Sequence, residues 1–522
     1  MKGRSRPTAW RSLRQLGPVT TCACGSHGCP QRRHRSSEAA PAAGGCRTPP
    51  CEVANLAASK YIARQRPLPR VTNRRLKTED RQPSEPGRLW QADFPFAPSR
   101  VPVFYGWVIV AISTLAIIFS IPGQTMGFSV FTDILMEQLG LSRVQLSSAY
   151  FIGTILSGFT LPYLGRVFDR IGARRMVVYA AGSTALVLFY LSQSRRLLDA
   201  VPFVERTVAA FLIITLGFYL IRASAQGVLT MASRNAIGKW FDYHRGIALA
   251  VSGVAVSFAF SFAPQGLDLL IGRFGWSGAW IVLGVLTLVV MASLGWLLLR
   301  DNPEECGLLM DGAAGTGQRR QQNADAVAHR DYSRPEALRT WAFWAFNLSF
   351  AFWSMFGTAA TFHIVSIGGM SGHARSEIIG YFVPMAVISV LTNIFCGWVS
   401  THIRLKYLLL MMNIAALAAV YGTLDLDTGV GLAFFVGGFG VCGGAFAALS
   451  GIVWPRFFGR TSLGAISGVG MSSMVIGSGI GPLFFSLSMK LSGSYDLAFY
   501  LSAIIPALLL AGSFWADNPQ RQ

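Results

Sequence analysis

Charge is scarce in this chain. Only 13% of its 522 residues are Asp, Glu, Lys or Arg, where a soluble domain carries roughly 25%, so a water-facing surface over the whole length is excluded. Acids are scarcer than bases, 25 against 45, and none falls deep within an apolar run: Asp133, Asp268 and Glu377 lie near run ends. A carboxylate proton relay in the interior is therefore unsupported. Cysteine is sparse too, and five of the eight (Cys22, Cys24, Cys29, Cys46, Cys51) crowd into the first hundred residues. Their spacing does not match the paired C-x2-C of common zinc sites, while Cys306, Cys396 and Cys442 lie too far apart for a disulfide framework. No nucleophile stands beside a base, no Gly-rich loop is shaped to cradle phosphate, and no metal-ligand cluster occurs. Neither an enzyme nor a metal or other cofactor is expected.

Apolar residues make up 52% of the chain, with 55 glycines among the rest. A bilayer span needs about 20 mostly apolar residues, and between Phe104 and residue 516 about twelve such stretches follow one another. The expected fold is an all-α membrane protein of about twelve transmembrane helices, with the lipid bilayer as a partner. The first stretch, 104–132, is interrupted by Pro122-Gly123 and reads as one long bent helix, because such breaks are tolerated where neighbours satisfy the freed backbone groups. Lys and Arg accumulate at cytoplasmic span ends. Arg166, Arg170, Arg174 and Arg175, then Arg234, Lys239 and Arg245, the 300–339 connector, and finally Arg404, Lys406, Arg456 and Arg460 fall on one side. The other side receives fewer, so the topology reads N-in, C-in. Most of the +20 net charge then reflects topology and a basic tail, and no nucleic-acid partner is expected.

Residues 1–100 are Arg- and Pro-rich without periodicity, a composition expected to stay disordered as a basic extension. The first thirty-seven lack acids, which hints at an organelle transit peptide, but their prolines and glycines oppose the amphipathic helix it needs. A start set too far upstream or a dispensable tail fits better. No apolar secretory signal precedes Phe104, so the first span serves as its own insertion signal, with the plasma (inner) membrane as expected location. The remainder divides into a six-helix half over 101–300, a cytoplasmic linker over 301–338, a second half over 339–516 and a short tail over 517–522. An internal echo supports the division. Arg300-Asp301-Asn302-Pro303 closes the sixth stretch and Ala516-Asp517-Asn518-Pro519 the twelfth, and Pro264 mirrors Pro482.

The connector after the second stretch reads Gly165-Arg-Val-Phe-Asp169-Arg170-Ile-Gly172-Ala-Arg174-Arg175. The positive-inside rule explains its arginines but not the two glycines or the lone acid. Glycines let helix ends approach and turn tightly, and Asp169 can accept hydrogen bonds from a helix N-terminus. This pattern resembles that carried between the second and third spans of major facilitator superfamily transporters. The resemblance implies two six-helix halves working by alternating access, with Gly165, Asp169, Arg170, Gly172, Arg174 and Arg175 forming a conformational latch. Asp169 would then contact the start of the eleventh span near Leu463-Gly464. The second-half counterpart, Gly397 to Lys406, has Thr401 in place of the Asp.

Other connectors narrow the resemblance. Phe104-Tyr105-Gly106-Trp107, Lys239-Trp240-Phe241 through Arg245-Gly246 to Ser252-Gly253, Phe274-Gly275-Trp276, and Asn302-Pro303-Glu304-Glu305-Cys306-Gly307-Leu308 with Asp311-Gly312 are similar to the monocarboxylate transporter and oxalate/formate antiporter branch. That likeness implies a small organic anion as substrate, with a coupling ion unspecified. The chain departs from the branch at its charges. The eighth-span Arg and acid of that branch correspond to Asn393 and Ser389, its first-span Lys to Met126, and the eleventh span carries only Lys490 at its end.

Within the spans, Arg222 of the fourth (about 207–232) is the one Lys or Arg. Intramembrane cations face a cavity or a partner, and the resemblance places the first, fourth, seventh and tenth spans along the cavity. Arg222 reads either as a bidentate clamp for a substrate carboxylate or as a structural arginine bonded to facing groups. Gln226, four residues on, extends a polar stripe. Gln124 and Thr125 beside the Pro-Gly break, Asn393, Ser389 and His363 complete the candidate binding residues. Phe350, Phe352, Trp353 and Phe356 read as a cavity wall or as lipid-facing rings. Three classes remain: an organic-anion carrier, a carrier or exporter of neutral or amphipathic molecules, and a non-transporting membrane sensor.

Overall fold

Long helices dominate because every backbone group inside a bilayer must be satisfied within its own segment. The computed structural model describes residues 88–312 and 328–521, so the expectations for residues 1–87 and for the middle of the linker lie outside the described residues. A first helix, α1 (Gly106–Phe119), is short. It precedes nine helices that, among the described residues, are long and apolar enough to cross a membrane: α2 (Arg143–Ser192), α3 (Arg206–Trp240), α4 (Arg245–Leu298), α5 (Trp341–Met370), α6 (Ser376–Val399), α7 (Leu405–Leu424), α8 (Gly429–Phe458), α9 (Leu463–Ser492) and α10 (Asp496–Ser513).

Two of these are too long for one crossing. At 50 and 54 residues, α2 and α4 would extend about 75–80 Å through a hydrocarbon layer of about 30 Å. Each is two helices joined at a single glycine, Gly172 (φ 86°) in α2 and Gly275 (φ 69°) in α4. Side chains rarely adopt that backbone conformation. At Gly172 a Cβ would also stand 2.4 Å from the Asp301 carboxylate, whose Oδ1 accepts from the Arg174 N–H at 2.8 Å. The connector is thus a one-residue corner.

The first span is broken rather than bent, contrary to the expectation for 104–132. After α1 the chain forms a 3-10 turn at Ile121–Gly123, passes through an extended Gln124, and resumes as Thr125–Ser129 and Thr132–Leu139. Pro122 has no N–H to continue the ladder. Gly123 lies against α3, where an added Cβ would be 2.7 Å from the Ile221 carbonyl. A second irregularity faces it: α3 is π-helical over Arg222–Leu229.

The halves meet along two related crossings, α2 against α9 and α4 against α6. Each is made at a glycine pair. A Cβ on Gly165 would come within 2.1 Å of the Gly464 carbonyl oxygen, and one on Gly246 within 2.0 Å of that of Gly397. The end of the bundle carrying these pairs, the Gly165–Arg175 turn and the linker is called the motif face below. The Asp-Asn-Pro echo is repeated here in contacts, for Asp301 supports the Gly172–Arg174 corner and Asp517 pairs with Lys406 (2.6 Å) beside the corresponding corner of the second half.

The described structure includes residues 88–100, which fall within the extension expected to stay disordered. Residues 88–103 run across the first half as a strap, with 3-10 turns at Arg88–Trp90 and Pro98–Arg100. Its carbonyls are held by two buried guanidinium groups: Arg174 donates to Gln91 (3.1 Å) and Phe94 (3.0 Å), and Arg300 to Ala92 (2.7 Å) and Phe96 (3.3 Å). The strap's rings cover the same cations, Trp90 over Arg174 and Phe96 over Arg300. Burial, with Arg300 alongside, lowers Arg174 to about 10. The linker is anchored at both ends. Asp311 accepts from the N–H groups of Asp242, Tyr243 and His244, capping the start of α4, while Asp331 accepts from the N–H of Arg460 before α9.

Candidate functional site

Arg222 begins the π segment of α3 and is 1% exposed. Its Nη1 reaches the Gly123 carbonyl at 3.3 Å and Thr125 Oγ1 at 3.4 Å, both beyond the usual N–H···O range. Its Nη2 donates to Ser478 Oγ of α9 at 3.0 Å, and the guanidinium lies 5.1 Å from the Tyr150 ring centroid. Its Nε has no hydrogen-bond partner, and neither has Gln226 Oε1 on the same segment. Among the described residues no carboxylate pairs with it. The broken first span and the π segment together create this setting: one supplies a carbonyl freed from its helix, and the other widens α3 where the cation sits.

The remaining candidates fall into three places. Gln124 and Thr125 lie at the break beside Arg222, although the Gln124 amide donates instead to Ser120 Oγ (3.1 Å), which also receives Thr230 Oγ1 (3.2 Å). Asn393 and Ser389 lie on α6. The Asn393 amide packs over Gly253 of α4 and its Oδ1 lacks a partner, whereas Ser389 faces Gly443 of α8. His363 of α5 meets the Pro482 carbonyl (3.0 Å), Ser486 Oγ (3.3 Å) and Tyr495 Oη (3.3 Å), all in the second half. Neither the α6 pair nor His363 makes a hydrogen bond to Arg222 among the described residues. Phe350, Phe352, Trp353 and Phe356 are all at most 9% exposed; Phe350, Trp353 and Phe356 pack on Phe439, Phe446 and Phe485 of α8 and α9 and Phe352 stacks on Phe356, so they do not face lipid.

The residues of the Gly165–Arg175 turn divide by role. Asp169 Oδ1 and Oδ2 accept from the N–H groups of Gly464 (2.6 Å) and Ala465 (2.7 Å), which open α9. Burial raises the Asp169 carboxyl above its ordinary value, opposed by those two N–H groups and by Lys239. Gly165 permits the crossing and Gly172 makes the corner. Arg170 is exposed. Arg174 is turned away from α9 to hold the strap, and Arg175 stacks over Trp90 at 5.4 Å.

Sequence reasoning missed Arg234 and its surroundings. The fourth span was ended near residue 232, but α3 continues to Trp240, and Arg234 donates to Ser450 Oγ of α8 at 2.8 Å while Asn235 donates to Ser467 Oγ of α9 at 2.8 Å. With Asp169, Arg222 and the Arg460 contacts to the Lys239 carbonyl and Glu304, these hydrogen bonds join the halves from the level of Arg222 to the motif face. No comparable hydrogen bond joins them nearer the opposite face among the described residues.

The sequence profile of the Major Facilitator Superfamily matches residues 113–436. No curated protein sequence matches the chain. Among solved structures, the human organic anion transporter MFSD10 (TETRAN) is similar at 15% identity and a TM-score of 0.51, over 78% of this chain and 99% of that one. The E. coli fucose:proton symporter FucP gives 12% identity and 0.53, over 80% and 100%. A bacterial homologue of the iron transporter ferroportin, in an outward-facing state, gives 13% and 0.53, over 78% and 98%. At these identities the likeness is one of fold.

Proposed function

Because the chain belongs to the Major Facilitator Superfamily, whose members are transporters and not enzymes, we propose that it is a secondary carrier moving a small organic anion of the carboxylate type by alternating access. The observation that carries this reading is the Arg222 guanidinium, buried between the halves with no acid beside it among the described residues and held only by neutral groups, two of them at long range and Ser478 at 3.0 Å. An unpaired cation at that depth is costly, and a carboxylate is the partner that offsets the cost bidentately. The connector likenesses to the monocarboxylate and oxalate/formate branch favour the same class.

The two glycine corners divide α2 and α4 into two crossings each, and with α1 and the remaining seven helices they add up to twelve crossings. The positive-inside distribution assigns the motif face to the cytoplasm, with both termini there. Asp169 then serves as a latch, because its two acceptor oxygens hold α9 only while the halves are closed at that face. A neutral or amphipathic cargo is the second reading, favoured by the buried Trp353 and Phe356 rings and the half-buried Phe439 on which they pack.

Counterflow in proteoliposomes tests the choice. Carboxylates are expected to exchange and neutral analogues of equal size are not, and Arg222→Gln is expected to abolish the exchange without changing membrane insertion or melting. Full carboxylate exchange by Arg222→Gln, or preference for the neutral analogues, overturns the proposal.

A further inference from the structure

Arg234 lies twelve residues beyond Arg222 on α3, about 18 Å closer to the motif face at 1.5 Å per residue. On an unbroken α-helix twelve residues turn through about 1200°, which would point the two side chains about 120° apart. The π segment Arg222–Leu229 lies between them. Its wider i→i+5 turns accommodate about one extra residue, which takes back about 100°. The result is visible in the bonding: both guanidinium groups face the second half, Arg222 on Ser478 and Arg234 on Ser450.

Arg234 resembles Arg222 in its lack of charge compensation. Among the described residues its one polar partner is the neutral Ser450 hydroxyl, at 2.8 Å. A guanidinium has five N–H donors in a planar fork, so a single bond leaves a bidentate edge unused. The next cation along the helix, Lys239, lies over the Phe168 ring at 5.2 Å rather than against Arg234. The Ser450 contact also crosses the seam between the halves. Separation of α3 from α8 at the motif face breaks it and uncovers the guanidinium on that side alone.

We propose that Arg234 is a second anion subsite on the translocation path, used when the carrier is open at the motif face. It binds the carboxylate of an arriving or departing substrate between Arg222 and the water at that face. Ser450 occupies it when the seam is closed, so no charge is left bare in the other state. The inference rests on the reading of Arg222 as an anion contact and adds a sidedness that a single cation would not give.

The test uses the full chain reconstituted in a known orientation, with lactate and oxalate as probes and KM measured separately from each face. Arg234→Gln is expected to raise the motif-face KM about tenfold or more, the loss of a charge-assisted contact, while leaving the opposite-face KM within about twofold. Arg234→Lys keeps the charge and is expected to recover most of the loss for lactate. Equal changes at both faces, or none, overturn the inference. Abolition of exchange by Arg222→Gln with no sided effect of Arg234→Gln overturns this inference alone, whereas absence of lactate and oxalate exchange in the wild-type chain overturns both readings. Melting in detergent controls for folding, and if Arg234→Gln does not fold, Arg234→Met takes its place, with the same motif-face rise in KM expected and equal changes at both faces, or none, overturning the inference.

Discussion

Asp169 connects the sequence to the mechanism most directly. Its two oxygens satisfy N–H groups that any helix N-terminus leaves open, and they do so across the boundary between the halves. Asp169→Asn retains the volume but turns one acceptor into a donor facing an N–H. Charge-assisted hydrogen bonds are worth roughly 1.5–3 kcal/mol, so closure at the motif face should weaken by about tenfold or more. The measurable result is faster alkylation of a reporter cysteine placed at the buried Ser472 in α9, together with slower exchange. An unchanged alkylation rate would show that the contact does not hold the closed state. This acid, Gly165 and Gly172 were legible in the sequence because a short polar connector between apolar runs admits few roles. Arg234 was not legible. Hydropathy sees polarity along one chain, and the polar stretch Ser233-Arg234-Asn235 looks like an exit from the membrane until Ser450 and Ser467 of distant helices cover it.

Among elements, the apolar runs were the most readable feature, since span length is imposed by the bilayer and needs no knowledge of neighbours. Interruptions were less readable. Pro122-Gly123 announced a disturbance, but whether it bends or breaks the helix depends on the Ile221 carbonyl and Ala225 methyl that Gly123 meets on α3. The strap was hidden for a similar reason. Trp90, Phe94 and Phe96 form no periodic pattern, and their partners Arg174 and Arg300 lie some 80 to 208 residues away. Removing the strap takes two carbonyl acceptors from each of those guanidinium groups, which keep only those of Trp296, Leu297 and Leu299, and a buried donor left unsatisfied costs roughly 1–3 kcal/mol. A truncation beginning at Val101 is therefore expected to melt several degrees below one beginning at Arg88, as read by thermal unfolding in detergent. Equal melting temperatures would mean that the strap adds nothing to the first half.

The whole molecule is two copies of one joint with unequal fittings. Gly165 crosses Gly464 as Gly397 crosses Gly246, yet only the first crossing carries an acid four residues on; the second has Thr401. Gly246 and Ile247 are the second and third residues of α4, as Gly464 and Ala465 are of α9. Thr401→Asp is accordingly expected to install a second latch, raising the melting temperature and slowing exchange. Wild-type values for both would indicate that the two crossings are not equivalent in geometry.

The paired aspartates at the corners extend this comparison into ancestry. Asp301 and Asp517 stand 216 positions apart, each following the last helix of its half and each bracing that half's own corner. A gene for one such unit, duplicated and fused, would have inherited both braces at once. Divergence that removed the acid from one crossing while sparing the braces would fit that history, because each brace supports its own half whereas the acid of the first crossing reaches across the seam.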